Sequence, residues 1–187
     1  SLPVGVKKLR DYSAGVDPRS KQFLLYAIGD EQPTGDTEPN GHVYLTTDGG
    51  TSWRAINNNL GNKISLRTLA TSVQHAGTIY VSYRQLPQTD NQMAAGVARS
   101  DDSGNTWQLV WKDLGEKPAD NMSADWLNDR FGATWGENPL CLTVAANDPS
   151  FCIGTDFGRT IVSTDGGAHW QQVYSNKTDK GWQTRGM

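Results

Sequence analysis

Cysteine is scarce in this chain. Only Cys141 and Cys152 occur among 187 residues, too few for a disulfide scaffold and at a spacing that fits no common zinc site. The three histidines, His42, His75 and His169, are far apart, which argues against a metal cluster. No apolar run approaches the roughly 18 residues of a membrane-spanning helix, so no membrane span is expected. The opening segment SLPVGVKKLRDY lacks the apolar core of a signal peptide, so no leader is expected there. The chain does not begin with Met, which suggests a mature protein or a fragment. Neither sign of charge dominates: 17 Lys and Arg stand against 20 Asp and Glu, a net of −3. Without a dense basic run to track phosphates, nucleic acid is not an expected partner.

Aromatic residues and glycine are plentiful. Seven Trp, six Tyr and four Phe supply large apolar bodies, which disfavours disorder despite a mean hydropathy of −0.60. Twenty glycines beside so many aromatics point to tight turns joining short packed strands, the composition of an all-β fold. The length suits one domain or a piece of a larger one.

An eight-residue pattern occurs three times: Thr46-Thr-Asp-Gly-Gly-Thr-Ser-Trp53, Asp101-Asp-Ser-Gly-Asn-Thr-Trp107 after Ser100, and Ser163-Thr-Asp-Gly-Gly-Ala-His-Trp170. The shared form is Ser/Thr-x-Asp-x-Gly-x-x-Trp, fixing Asp48, Gly50 and Trp53, then Asp102, Gly104 and Trp107, then Asp165, Gly167 and Trp170. Each position has a physical reason. The carboxylate can accept from backbone N–H groups ahead of it and close an Asx-type turn, and the hydroxyl can add a local bond. The glycine takes a backbone conformation that a side chain would oppose. The tryptophan opens the returning strand and covers the turn. Alternating segments such as HVYLTT and SWRAIN flank each copy, so the unit reads as strand, corner, strand.

The pattern resembles the Asp-box, or BNR, repeat of β-propellers such as sialidases, xyloglucanase-like glycoside hydrolases and sortilin-type domains. The resemblance implies blades of four antiparallel strands, with each corner joining the third strand to the fourth. About three blades are then expected, part of a six- to eight-bladed ring. Blade one takes residues 1–58, with strands near 4–11, 22–29, 42–47 and 52–57. Blade two takes 59–112, with strands near 64–73, 77–84, 95–100 and 106–112. A long link covers 113–139. Blade three takes 140–175, with strands near 140–146, 151–156, 159–163 and 169–174. Residues 176–187 read as the start of another blade. Three blades do not close a ring, so the remaining blades are expected from a parent chain or from another copy.

Strand alternation then fixes which loops share an end. Those joining strands two to three, and strand four to the next blade, lie opposite the corners, and in enzymes of the resembled architecture that end surrounds the pocket. These are the unusual loops here: 29–41, 85–95, the link 113–139, and the turn 155–159. The link combines Trp126 and Trp135 with Asp125, Asp129, Arg130 and Glu137. Aromatic faces stack on sugar rings, carboxylates and arginine hold hydroxyls, and paired carboxylates perform glycoside hydrolysis as acid and base or nucleophile. The candidate catalytic residues are therefore Asp125, Asp129, Glu137 and Asp156, and the candidate substrate contacts Trp126, Arg130, Trp135 and Arg159. Each alone also reads as an ordinary solvated side chain, and Asp156 with Arg159 also reads as a surface ion pair.

Three functions stand open. One is part of a secreted glycoside hydrolase acting on a poly- or oligosaccharide; another is a non-catalytic propeller binding glycan or protein; the third is a purely structural module within a large multidomain surface protein. The arginine triad and tyrosine nucleophile of sialidases have no recognisable place in this sequence. The resemblance implies a secreted, periplasmic or surface location, a carbohydrate ligand, and neither cofactor nor metal. Cys141 and Cys152 fall on adjacent strands, where a simple register sets them opposite each other; a disulfide and two small buried residues are both open. Asn121-Met-Ser123 and Asn176-Lys-Thr178 are glycosylation sequons, and residues 120–125 carry oxygen ligands that read either as a calcium site or as a polar loop.

Overall fold

A computed structural model describes residues 2–31, 41–57, 60, 64–85, 95–113, 121–123, 141–155 and 159–175. Among them the regular elements are all strands, arranged in three sheets. The first holds β1 (Val6–Val16), β2 (Phe23–Glu31), β3 (His42–Thr46) and β4 (Arg54–Ala55). The second holds β5 (Ile64–Ser72), β6 (His75–Gln85), β7 (Ala95–Ser100) and β8 (Gln108–Asp113). The third holds β10 (Cys141–Val144), β11 (Cys152–Thr155), β12 (Arg159–Ser163) and β13 (Trp170–Ser175), with a short β9 (Met122–Ser123) added at its outer edge. Consecutive strands pair antiparallel in all three. The protein is thus all-β, built of propeller-type blades that form an open series among the described residues.

Strand one of each sheet lies innermost, with β5 flanked by β1 and by β10. β1 runs five residues beyond the expected end at residue 11 because its second half is bound to blade two. The Asp11 carboxylate accepts from the Thr68 hydroxyl at 2.6 Å and the Leu69 amide at 2.9 Å, and the Ser13 hydroxyl accepts from the Thr71 amide at 3.1 Å. The strand ends where Asp17 and Pro18 turn the chain, with Asp17 accepting from the Ser20 amide at 2.9 Å. β4 is shorter than expected because regular pairing stops after Ala55: the Ile56 amide still reaches the Val43 carbonyl, but the Asn57 side chain receives the Val43 amide at 3.0 Å in place of a backbone group.

Alternation sends successive side chains to opposite faces, so each sheet has two apolar sides. Tyr26, Ile28, Val43 and Leu45 of blade one meet Leu66, Leu69, Ile79 and Val81 of blade two in one core cluster. Tyr80, Val97 and Trp111 of blade two meet Leu142, Cys152, Ile161 and Trp170 of blade three in the next.

The cysteines do not face each other. Cys141 pairs with Thr155, and Cys152 pairs with Val144. Cys141 is exposed, Cys152 is buried, and both are free thiols. The register is offset by three residues from the simple one that would set them opposite each other, so of the two open readings no disulfide is formed, and only Cys152 is a buried thiol; burial pushes it up to about 12. The link after β8 also departs from a plain loop. Met122 and Ser123 form β9, parallel to β13, and the Trp170 amide donates to the Asn121 carbonyl at 2.8 Å at its start.

Candidate functional site

The three corners share one geometry. In each, the hydroxyl at the first position donates to the aspartate and accepts from the glycine amide four residues on. Thr46 Oγ1 lies 2.7 Å from Asp48 Oδ1 and 2.9 Å from the Gly50 amide. The corresponding distances are 2.8 and 2.8 Å at Ser100, and 3.0 and 2.8 Å at Ser163. The same carboxylate oxygen receives the amide four residues after it, from Ser52, Thr106 and His169 at 2.9, 2.8 and 2.9 Å. Its second oxygen receives the Ser52 hydroxyl, the Thr106 hydroxyl at 2.7 Å, or lies 2.7 Å from His169 Nδ1. Glycine at the fifth position has φ of 89°, 83° and 90°, in the region side chains avoid.

These bonds favour the ionised aspartates. The Ser52 hydroxyl and amide hold Asp48 far below the usual carboxylate range. The His169 amide and ring bring Asp165 down to about 2. At Asp102, burial pushes upward, but the Thr106 and Ser100 bonds together outweigh it and the net shift is downward. The corners are therefore fixed anionic turns whose donors are already spent on the carboxylate, which suits them to structure rather than to proton transfer.

The corner end also carries a shallow recess of about 230 Å³, lined among others by Asp17, Arg19, His75, Thr78, Asp101 and Pro149. Its carboxylates are engaged. Asp101 accepts from Thr78 at 2.9 Å and from Arg99 at 2.9 and 2.7 Å, while Asp17 is held below its usual range by the Ser20 hydroxyl. Among the described residues there is no group of three or more His, Cys, Asp or Glu side chains placed to hold a metal ion.

At the opposite end the ladders terminate at Glu31, His42, Gln85, Ala95, Asp113, Thr155 and Arg159. Near that end of the inner strands Arg10 occupies the bulge of β1 between Leu9 and Asp11. Its guanidinium binds Asp30 at 2.8 Å and the Leu66 carbonyl at 2.6 Å, tying blade one to blade two. A bulge can re-aim a side chain in this way, and this pair escaped the sequence reading because no motif marks a bulge inside an alternating strand.

Of the sequence-derived candidates, Asp125, Trp126, Asp129, Arg130, Trp135, Glu137 and Asp156 lie outside the described residues, and Arg159 is placed by its backbone alone, at the start of β12. Residues 121–123 of the 113–139 link lie away from the loop end. Asn121 sits against the third corner, its Nδ2 donating to the Val110 carbonyl at 2.6 Å and to the Gly167 and Ala168 carbonyls at 3.1 and 3.3 Å.

No family model matches the chain. No curated protein matches it. Among solved structures it is similar to a GH93 α-L-arabinofuranosidase of Fusarium graminearum in complex with arabinobiose, at 17% identity over 86% of this chain and 42% of that chain, with a TM-score of 0.38. A single-site variant of the arabinofuranosidase of that organism, bound to an iminosugar inhibitor, matches at 17% identity over the same shares with a TM-score of 0.39. The chain spans 42% of the length of these structures. Among the described residues no helix is long and apolar enough to cross a membrane.

Proposed function

We propose that this chain is part of a carbohydrate-active propeller of the Asp-box kind, working as a secreted glycoside hydrolase on a poly- or oligosaccharide. The observation that carries the reading is the repetition of one corner, hydroxyl, aspartate, glycine and tryptophan, on three successive sheets, each with four consecutive antiparallel strands and the third with β9 added. With the corners holding one end, the loops left for a ligand are those at the other, and their sequence pairs tryptophan with carboxylates and arginine. In this reading Asp125, Asp129, Glu137 and Asp156 include the acid and its partner. Trp126, Trp135, Arg130 and Arg159 hold the sugar, and further blades complete the ring.

The test is release of reducing sugar from a panel of plant, fungal and bacterial polysaccharides, with each of the four carboxylates changed to its amide. A loss of at least about a hundredfold in kcat for two of them, with retained glycan binding, is expected. Undiminished hydrolysis by all four variants removes these residues as catalysts. A chain that binds glycan or protein but hydrolyses nothing is the non-catalytic module, the reading favoured by the lack of a sialidase-type catalytic set in the sequence. A chain that neither binds nor hydrolyses any glycan ends the proposal.

A further inference from the structure

β5 is the middle one of the three innermost strands, with β1 on one side and β10 on the other. Its residues 65–72 are buried with a single exception, Arg67, which is exposed. That exposure does not come from an uncovered blade face, because blade two is packed on both. Leu66, Leu69, Ile79 and Val81 lie in the cluster shared with blade one, and Ala70, Tyr80 and Val97 in the cluster shared with blade three. What the two packed faces leave open is the inner edge of the sheet, where β5 has no further strand of its own blade.

A bulge puts the arginine there. Leu66 pairs with Tyr83 and Leu69 with Val81, so Arg67 and Thr68 together stand against Ser82. β1 has the same irregularity at the same place: Leu9 pairs with Gly29 and Asp11 with Ile28, with Arg10 between them. Arg10 and Arg67 are therefore equivalent positions on successive inner strands, yet their surroundings differ. The Arg10 guanidinium is spent on Asp30 at 2.8 Å and on the Leu66 carbonyl at 2.6 Å. Arg67 has no partner among the described residues, so its charge and its five N–H donors are uncommitted.

The backbone on either side of Arg67 is pinned from β1. Arg10 holds the carbonyl before it, and Asp11 receives the Thr68 hydroxyl at 2.6 Å and the Leu69 amide at 2.9 Å after it. A bulge fixed in this way aims a side chain in one direction, as bulges beside binding sites do. Arg67 lies close to the loop-end limit of β5 at Ile64. It therefore stands below the loops to which the carbohydrate reading assigns the ligand.

We propose that Arg67 is a ligand-contacting residue at the floor of the loop end, its guanidinium donating to a pair of oxygens on a bound sugar unit. The inference rests on the carbohydrate-active reading above and names a contact that no motif in the sequence marks. The planar fork presents parallel N–H groups that match two neighbouring acceptors. Vicinal hydroxyls of a neutral sugar and the carboxylate of a uronate both supply that pair.

The test is calorimetric titration of the protein carrying this chain, with arabino- and xyloglucan-oligosaccharides as neutral probes and oligogalacturonates as carboxylated ones. Arg67→Ala should weaken binding of at least one probe about tenfold or more, with an unchanged urea midpoint, since the side chain has no partner among the described residues. Arg67→Lys, which keeps the charge and loses the fork, should fall between the two. A loss confined to the oligogalacturonates identifies the carboxylate as the partner, and a loss shared by a neutral probe identifies hydroxyls. Arg19→Ala, which removes an exposed arginine at the corner end, should bind as the unaltered protein does. Unaltered binding of every probe by Arg67→Ala overturns the proposal. So does equal weakening by Arg19→Ala, which reports general charge attraction rather than a contact. If the unaltered protein binds none of the probes, the carbohydrate reading falls first and this inference with it; if it binds and Arg67→Ala binds equally well, this inference falls alone.

Discussion

The indole Nε1 of Trp107 lies 2.6 Å from the carbonyl oxygen of Ile56, so the tryptophan of the second corner is fastened to the end of the outer strand of the blade before it. Trp170 repeats the relationship one blade on, donating to the Val110 carbonyl at 3.3 Å. The second and third corners are therefore also interblade clasps, and Trp107→Phe should lose one hydrogen bond while keeping an aromatic side chain in place. Equilibrium unfolding in urea should give a loss of about 1 kcal/mol, more if the Ile56 carbonyl is left dry.

The corner glycines separate backbone strain from packing. Gly49 has φ of 70° and open space at its Cβ position, whereas Gly104 has φ of 83° and Ile56 against it. Gly49→Ala should cost about 1 kcal/mol, the conformational term alone. Gly104→Ala should cost about 2–4 kcal/mol, because the methyl must also displace Ile56. Equal losses at the two positions in the same denaturant series would contradict the clasp.

Tyr26 and Tyr80 reach from successive blades to the first turn of the next, donating to the Ala76 carbonyl at 2.6 Å and the Pro149 carbonyl at 2.7 Å. Burial pushes Tyr26 up to about 12, and Tyr80 is pushed up further. The unfolded phenols titrate near 10, so their contribution is complete below that pH and is lost as pH rises from about 10 through 12. Tyr26→Phe should cost about 1–2 kcal/mol at neutral pH and flatten the alkaline part of a stability profile followed by tryptophan fluorescence.

Acid acts on the corners with the opposite sign. The folded-state pKa values of Asp48, Asp102 and Asp165 are lowered, so the stability they lend is complete above about 4 and declines as pH falls, for Asp165 through about 2. Thermal unfolding midpoints should hold down to about pH 4 and drop below it. The Asp165→Asn variant should start lower and show a shallower drop, and an unchanged acid profile would remove that carboxylate from the account.

Asn121 donates its amide to three carbonyls at the junction of blades two and three. Asn121→Ala should cost about 1–3 kcal/mol, because the Val110 carbonyl loses a partner at a buried seam. The same engagement leaves no amide for a sugar on the folded chain. Mass spectrometry of protein made in a glycosylating host should find Asn121 unmodified despite its sequon.

Local chemistry was written in the sequence. Asp48, Asp102 and Asp165, with their hydroxyls and glycines, specify a turn that closes on its own atoms, so spacing alone announced three corners and the strands on either side. Alternation likewise announced two apolar faces per sheet. The loop end was legible only as composition, with Trp126, Trp135 and the carboxylates in one long link, because nothing local fixes how such residues meet.

What tertiary structure decided were the relations between blades. The Arg10 bulge with its Asp30 and Leu66 partners, the offset that parts Cys141 from Cys152, and the folding of Asn121 to Met122 onto β13 all depend on register. A one-residue slip sends a side chain to the other face of a sheet, and that choice is made by long-range pairing. Val110 could be known as closed only once the neighbouring corner had been seen to cover it.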